Sequence, residues 1–241
     1  FFILKFITHP QYIIPDRIGV ESNENISLVL NKIYNKKKIE VLYNWPSINL
    51  RKKPKKNKIQ LKKDISLKGV YSGSFSYAQG SEDLIKFLKN LEKKTHIHID
   101  FFVKHLSHKR SFKKIFFKNL ISEDKLVKTF QSYDYGVFSL NLELNTNNIP
   151  GKFVSYTQFG LPILCFANLN STIAKLITKN NCGIVVDVLG SESMNFSKID
   201  KFLKVIKNKN NFYSENSRKL HNKMFNIDNV KQKIGSIISD G

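Results

Sequence analysis

Apolar residues along this chain fall into two alternating rhythms. Short, nearly continuous apolar runs are LKGVYSG (67–73), IHIDFFV (97–103), YGVFSL (135–140), PILCF (162–166) and GIVVD (183–187). Phe116 and Phe117 mark a further short one. Such runs read as strands buried on both faces. Between them lie segments with helical spacing. SEDLIKFLKNLEKK (81–94) places Leu84, Ile85, Leu88 and Leu91 on one face. SEDKLVKTFQS (122–132) starts at Ser122, a residue suited to capping the first free amides. IPGKFVSYTQF (149–159) carries proline near its first turn, and STIAKLITKNN (171–181) follows PILCF. Helices fill most of the remainder. Strand and helix alternate about six times, which predicts an α/β, Rossmann-like parallel sheet with helices on both faces. Phe153 and Phe159 are expected in the core.

Ahead of this regular part, DRIGVES (16–22) predicts a short strand ending at Ser22, which caps a helix over 23–34. IEVLY (39–43) predicts another short strand, stopped by Asn44-Trp45-Pro46. RKKPKKNKIQLKK (51–63) has the composition of a linker. These boundaries divide the chain into 1–45, a linker at 46–66, a main domain at 67–225 and a terminal helix at 226–241. The chain begins FFILKFITHP rather than with Met, so residues 1–45 are read as the end of a preceding domain, unstable alone. FFILKFI is too short for a span of about 20 residues. It reads as a buried helix turn, with contact to a membrane surface as the alternative.

Composition narrows the partners. The net charge is +21, yet only four basic residues are arginine: Arg17, Arg51, Arg110 and Arg218. Base recognition favours the arginine fork, so nucleic acid is not the expected partner. A lysine-rich face suits phosphorylated substrates or anionic lipid. The two cysteines, Cys165 and Cys182, have no partner spacing, and the six histidines form no metal-ligand pattern. A cytoplasmic setting is expected, with peripheral contact at the inner membrane face as a further possibility.

Parallel sheets bind ligands at the carboxyl ends of their strands. The loops after Gly73, Val103, Leu140 and Phe166 should therefore share one rim. Asn148-Ile149-Pro150-Gly151 opens a helix on that rim. Free N–H groups at a helix start attract anions, and Gly151 admits close backbone approach. Lys152 adds a positive charge there. Gly73, with Ser72 and Ser74, faces it from the first strand-to-helix turn. Lys104 and Arg110 sit on a neighbouring rim loop. Ser155 and Tyr156 lie one turn further into the helix. For each residue the bland alternative is an ordinary helix start, glycine turn or solvated side chain.

Four segments in order resemble the back half of the retaining family 4 glycosyltransferases of two-Rossmann (GT-B) architecture. DRIGVESNEN is similar to the strand closing their first domain, and VLYNWP to the segment before their hinge. GVYSGSFSYAQG is similar to the first glycine loop of their donor domain. NNIPGKFVSYTQFGLPIL is similar to their donor-site helix. The bacterial surface-polysaccharide enzymes resembling fucosamine transferases carry a closely similar "NIPGK…SY…GLP" stretch. The resemblance implies a nucleotide-diphosphate sugar held by residues 67–225, and hexosyl or amino-hexosyl transfer to a saccharide or lipid-linked acceptor in polysaccharide (O-antigen-type) synthesis. It implies no cofactor and no metal. Two glutamates usual in that family fall on Asn147 and Ser155, and its basic pair falls on Ser74 and Gln79. Lys104 or Arg110 would replace the pair. No general-base constellation is visible, which suits a retaining mechanism assisted by the donor phosphate. A non-catalytic polyanion-binding domain and a related UDP-sugar epimerase are the competing expectations.

Overall fold

The computed structural model describes residues 14–31, 39–46, 67–104, 112–143, 147–208 and 211–239. FFILKFI, the linker sequence 51–63, His105, His108 and Arg110 lie outside the described residues.

Six strands form one parallel sheet: β3 (Gly69–Ser72), β4 (Ile99–Val103), β5 (Ile115–Asn119), β6 (Tyr135–Ser139), β7 (Ile163–Phe166) and β8 (Gly183–Val186). Their spatial order is β5-β4-β3-β6-β7-β8, and every pairing is parallel. The chain thus builds outward on one side of β3, then crosses back to start the other side at β6. That reversal is the topological switch point of a Rossmann-like sheet, where a crevice opens at the strand ends.

Side-chain alternation along β6 assigns the layers. Tyr135 points to Phe202 of α6 (Glu192–Lys207). Its neighbours Gly136 and Phe138 face α4 (Gly151–Phe159), against Tyr156 and Phe153. On the first face, α6 meets α2 (Ser81–Lys94) through Phe87 and Phe196. On the second, α4 meets α3 (Glu123–Gln131) through Phe130 and Phe159. α5 (Thr172–Lys179) is capped by Ser171, whose hydroxyl accepts the Ala174 amide. Phe153 is fully buried and Phe159 nearly so, as the helical spacing predicts.

α4 is held at its carboxyl end by side chains of a later helix. Its carboxyl end is closed by α7 (Phe212–Leu220): Ser214 donates to the Gly160 carbonyl at 2.6 Å, Ser217 to Leu161 at 2.9 Å and Arg218 to Phe159 at 3.2 Å. Cations and donors are favoured at a helix carboxyl end. A π-helical turn (His221–Phe225) then carries His221 against Thr157 of α4, with 3.5 Å between Nδ1 and Oγ1. Burial lowers the His221 pKa to about 4. The unfolded chain therefore takes a proton here near pH 6.5 while the folded chain refuses it, and stability falls as pH drops through that window. The unfolding midpoint should decrease between pH 6.5 and 5, and His221→Gln should flatten that decrease in thermal melts. An unchanged slope in the variant would exclude His221 as its source.

The amino-terminal part forms a separate two-stranded parallel sheet of β1 (Ile18–Val20) and β2 (Ile39–Val41), joined through α1 (Asn23–Leu30). Ser22 caps α1 as its sequence predicts, accepting the Asn25 amide at 3.3 Å. Among the described residues, contacts tie this unit both to the main domain and to the terminal helix. Tyr43 packs edge-on against Phe225, and Lys233 of α8 (Ile227–Ser239) lies 3.8 Å from Glu40. Asn44 donates to the Ile149 carbonyl at 3.4 Å. Among the described residues no helix is long and apolar enough to cross a membrane.

Candidate functional site

β3 and β6 pair only over Gly69↔Tyr135 and Val70↔Gly136, and then part. Where they part, the Tyr156 hydroxyl fills the ladder's place. It accepts the Ser72 amide at 3.0 Å and donates to the Val137 carbonyl at 3.2 Å. Tyr156 is fully buried, and burial raises its phenol pKa far above normal. The sequence reading places Tyr156 among the donor-binding residues; in the fold its hydroxyl bridges the two parting strands.

Above Tyr156 sits Lys152. Its ammonium donates to the Tyr71 hydroxyl and to the Ser74 carbonyl, both at 2.9 Å, and lies 4.2 Å from the Tyr71 ring centre. Tyr71 also donates to the Ser74 carbonyl at 2.7 Å. The lysine is therefore folded onto the Gly73 turn. That turn needs glycine: its φ is +118°, and a Cβ would stand 2.8 Å from Lys152 Cε. Burial lowers the Lys152 pKa to about 8. No carboxylate pairs with this ammonium among the described residues.

At the start of α4, Phe153 and Val154 turn their amides back to the Pro150 carbonyl, at 2.9 and 3.3 Å. The Gly151 and Lys152 amides precede them and have no intrahelical acceptor. Gly151 is exposed, with open space where a Cβ would be. Proline occupies the N-cap itself, with φ −64° and ψ 136°. The start of α4 thus presents two amides and a helix dipole, and the Lys152 ammonium reaches from it to the Gly73 turn, an arrangement suited to a multiply charged anion.

The other expected residues separate into groups. Ser72 and Ser74 line the turn through their backbone. Asn148 is exposed, and Ser155 is half-buried with no side-chain hydrogen bond among the described residues. Asn147 accepts from Thr172 at 3.2 Å, which joins the α4 approach to α5. Ile149 is buried, so only its carbonyl reaches the rim. Gln79 is spent locally, accepting the Ser76 amide and hydroxyl at 3.1 and 2.6 Å. Lys104 is exposed at the end of β4, beside β3.

Sequence reasoning did not find Tyr71, Asn44 or Glu21. Asn44 donates to the Glu21 carboxylate at 3.0 Å as well as to Ile149, so the segment after β2 touches the α4 entrance. It also missed Tyr77 and Glu143, joined at 2.8 Å across the rim. Nothing in the spacing of these residues announces contacts across 66 to 105 positions. No group of three or more His, Cys, Asp or Glu that could hold a metal occurs among the described residues.

The architecture is a Rossmann-like α/β unit, and solved glycosyltransferases of GT-B architecture share its fold. A glycosyltransferase from Rickettsia africae ESF-5 superposes with a TM-score of 0.67 at 13% identity, covering 99% of this chain and 66% of its own. WaaG, a glycosyltransferase involved in lipopolysaccharide biosynthesis, gives 0.63 at 16%, covering 93% and 63%. HepE from Anabaena, solved with UDP and glucose, gives 0.62 at 11%, covering 98% and 68%. The chain spans 45% of TarM and 60% of a sucrose-phosphate synthase from Thermosynechococcus elongatus. At these identities the likeness is one of fold. By sequence, neither a protein-family model nor a curated protein matches the chain.

Proposed function

We propose that the crevice at the β3/β6 switch point holds the diphosphate of a nucleotide sugar, and that the chain serves a glycosyltransferase. The carrying observation is the reach of the Lys152 ammonium, from the open start of α4, onto the Gly73 turn. Glycosyl transfer from a diphosphate builds negative charge on the leaving group. Preorganised donors at that point lower the barrier without reorganising. Structures of similar fold were solved with UDP, alone or with glucose or GlcNAc, which supports the same ligand class here.

The transferred group is read as hexosyl or amino-hexosyl, with retention of configuration, and the acceptor as a saccharide or lipid-linked saccharide of a cell-surface polysaccharide. Metal is not part of this reading, because the lysine and the helix dipole already oppose the diphosphate charge.

Calorimetric titration tests it. UDP should bind more tightly than UMP, and to the same extent in EDTA as in magnesium. Ser155→Ala removes at most a neutral hydrogen bond and should cost about 1 kcal/mol or less. Binding that appears only with added magnesium or manganese would refute the metal-free site. The lysine-rich charge favours a second outcome, general polyanion binding. That would show as equal affinity for UDP and inorganic polyphosphate, falling steeply with salt.

A further inference from the structure

Two rim loops meet at the crevice mouth. The first, after β3, contains a single 3-10 turn (Tyr77–Gln79). The second follows β6. The Tyr77 hydroxyl donates to Glu143 Oε2 at 2.8 Å. Asn141 stitches the same two loops through the backbone: its amide donates to the Ala78 carbonyl at 3.0 Å, and its side chain to the Tyr77 carbonyl at 3.2 Å. Asn141 in turn accepts the Glu143 amide at 2.9 Å. The Ser76–Gln79 capping box holds the turn from within.

Tyr77 is thus fixed at its base and at its tip, yet 69% of it is exposed. A large aromatic ring held out in water has no core to serve. Because it is already ordered, little further entropy is lost when something packs on it. Its hydroxyl is committed to Glu143, so what it offers a ligand is the flat face. Glu143 Oε1, by contrast, makes no bond among the described residues. A flat apolar ring beside a carboxylate with free lone pairs matches a pyranose. The sugar's C–H face covers the ring, and its hydroxyls donate to the carboxylate. Position agrees with this. Tyr77 lies three residues beyond Ser74, whose carbonyl holds Lys152.

Resting on the nucleotide-sugar reading above, we infer that Tyr77 and Glu143 form a saccharide subsite at the mouth of the crevice. It takes the pyranose ring of either the donor or the acceptor. A purely structural staple would need only the Tyr77–Glu143 bond. A sugar subsite needs the ring face and the charge as well.

Two measurements on the full chain separate these roles. Calorimetry compares UDP, UDP-glucose and UDP-GlcNAc in the wild type, Tyr77→Ala and Glu143→Gln. Saturation-transfer NMR with free glucose and GlcNAc reads the subsite without nucleotide. Glu143→Gln keeps an acceptor for the Tyr77 hydroxyl, so the loops stay joined while the charge is lost. If the donor's sugar sits here, UDP-sugars should bind about 5- to 10-fold more tightly than UDP. Both variants should abolish that preference and leave UDP affinity within about twofold. If the acceptor sits here, UDP and UDP-sugars bind alike, and saturation transfer to free sugar is lost in Tyr77→Ala and reduced in Glu143→Gln. The subsite is overturned if neither signal depends on Tyr77 or Glu143. No binding of UDP, with saturation transfer to free sugar present and Tyr77-dependent, would instead refute the nucleotide reading and leave the subsite standing.

Discussion

Replacing Lys152 by alanine should lower the affinity for UDP ten- to a hundredfold at pH 7, the roughly 1.5–3 kcal/mol of a charge-assisted hydrogen bond. An ammonium has three N–H donors, and two are already spent on Tyr71 and the Ser74 carbonyl. Those two bonds hold the group against the Gly73 turn and leave one donor for a phosphate oxygen. The same placement makes the affinity pH-dependent. Burial lowers the Lys152 pKa to about 8. Bound diphosphate favours the charged form, so above pH 8 binding must take up a proton. Affinity should therefore fall between pH 8 and 9, by at most about tenfold per pH unit. Stability should move the other way. From about pH 8 towards the ordinary lysine value, the folded chain holds fewer protons here than the unfolded chain, so stability rises with pH. Lys152→Met should remove both trends while filling the same space. Calorimetry at pH 7, 8 and 9 and urea melts over the same range would test this. Equal UDP affinity in wild type and variant would place the anion elsewhere.

What sequence made legible here is what is local. The apolar runs 97–103 and 135–140 contain β4 and β6 because strands buried on both faces carry little else. The helix over 81–94 matches α2 end for end, because its apolar spacing and its flanking turn residues agree. The 23–34 helix is described only over Asn23–Leu30, although its Ser22 cap is as expected. The glycine turn and the α4 start were legible for the same local reason, since Gly73 and Pro150-Gly151 each mark a backbone need. Contacts between distant segments were not legible. Ser155 and Tyr156 are adjacent on α4, yet one is half-buried with no side-chain bond among the described residues and the other bridges the parting strands. The rotation between successive helix positions turns Tyr156 to the sheet, and the parting of β3 from β6 leaves its hydroxyl an amide and a carbonyl to bond. Tyr77 and Glu143 read as two loop residues until Asn141 brings their loops together.

The Tyr156 bridge is where a single methyl group should do most damage. A Cβ on Gly136 would come within 2.5 Å of two atoms of the Tyr156 ring, Cγ and Cδ2, and 3.0 Å of its Cβ. The ring cannot swing aside. Its hydroxyl is held by the Ser72 amide and the Val137 carbonyl, and its edge meets Phe130 with 5.4 Å between ring centres. Gly136→Ala should therefore cost the roughly 1–3 kcal/mol of an overpacked core. Tyr156→Phe keeps the ring but strands a buried amide and carbonyl, and should cost about 1–3 kcal/mol by the separate route of lost hydrogen bonds. Tyr156→Leu makes room instead. Combined with Gly136→Ala it should cost less than the sum of the single changes, because the new methyl then meets no rigid ring. Urea melts of the four variants give the comparison. Strict additivity would show that β6 shifts to admit the methyl and that Tyr156 does not hold the strands. If Tyr156 is the hold, its loss also releases the start of α4. Tyr156→Phe should then weaken UDP binding as well as folding, though it leaves Lys152 and the Gly73 turn unchanged in sequence.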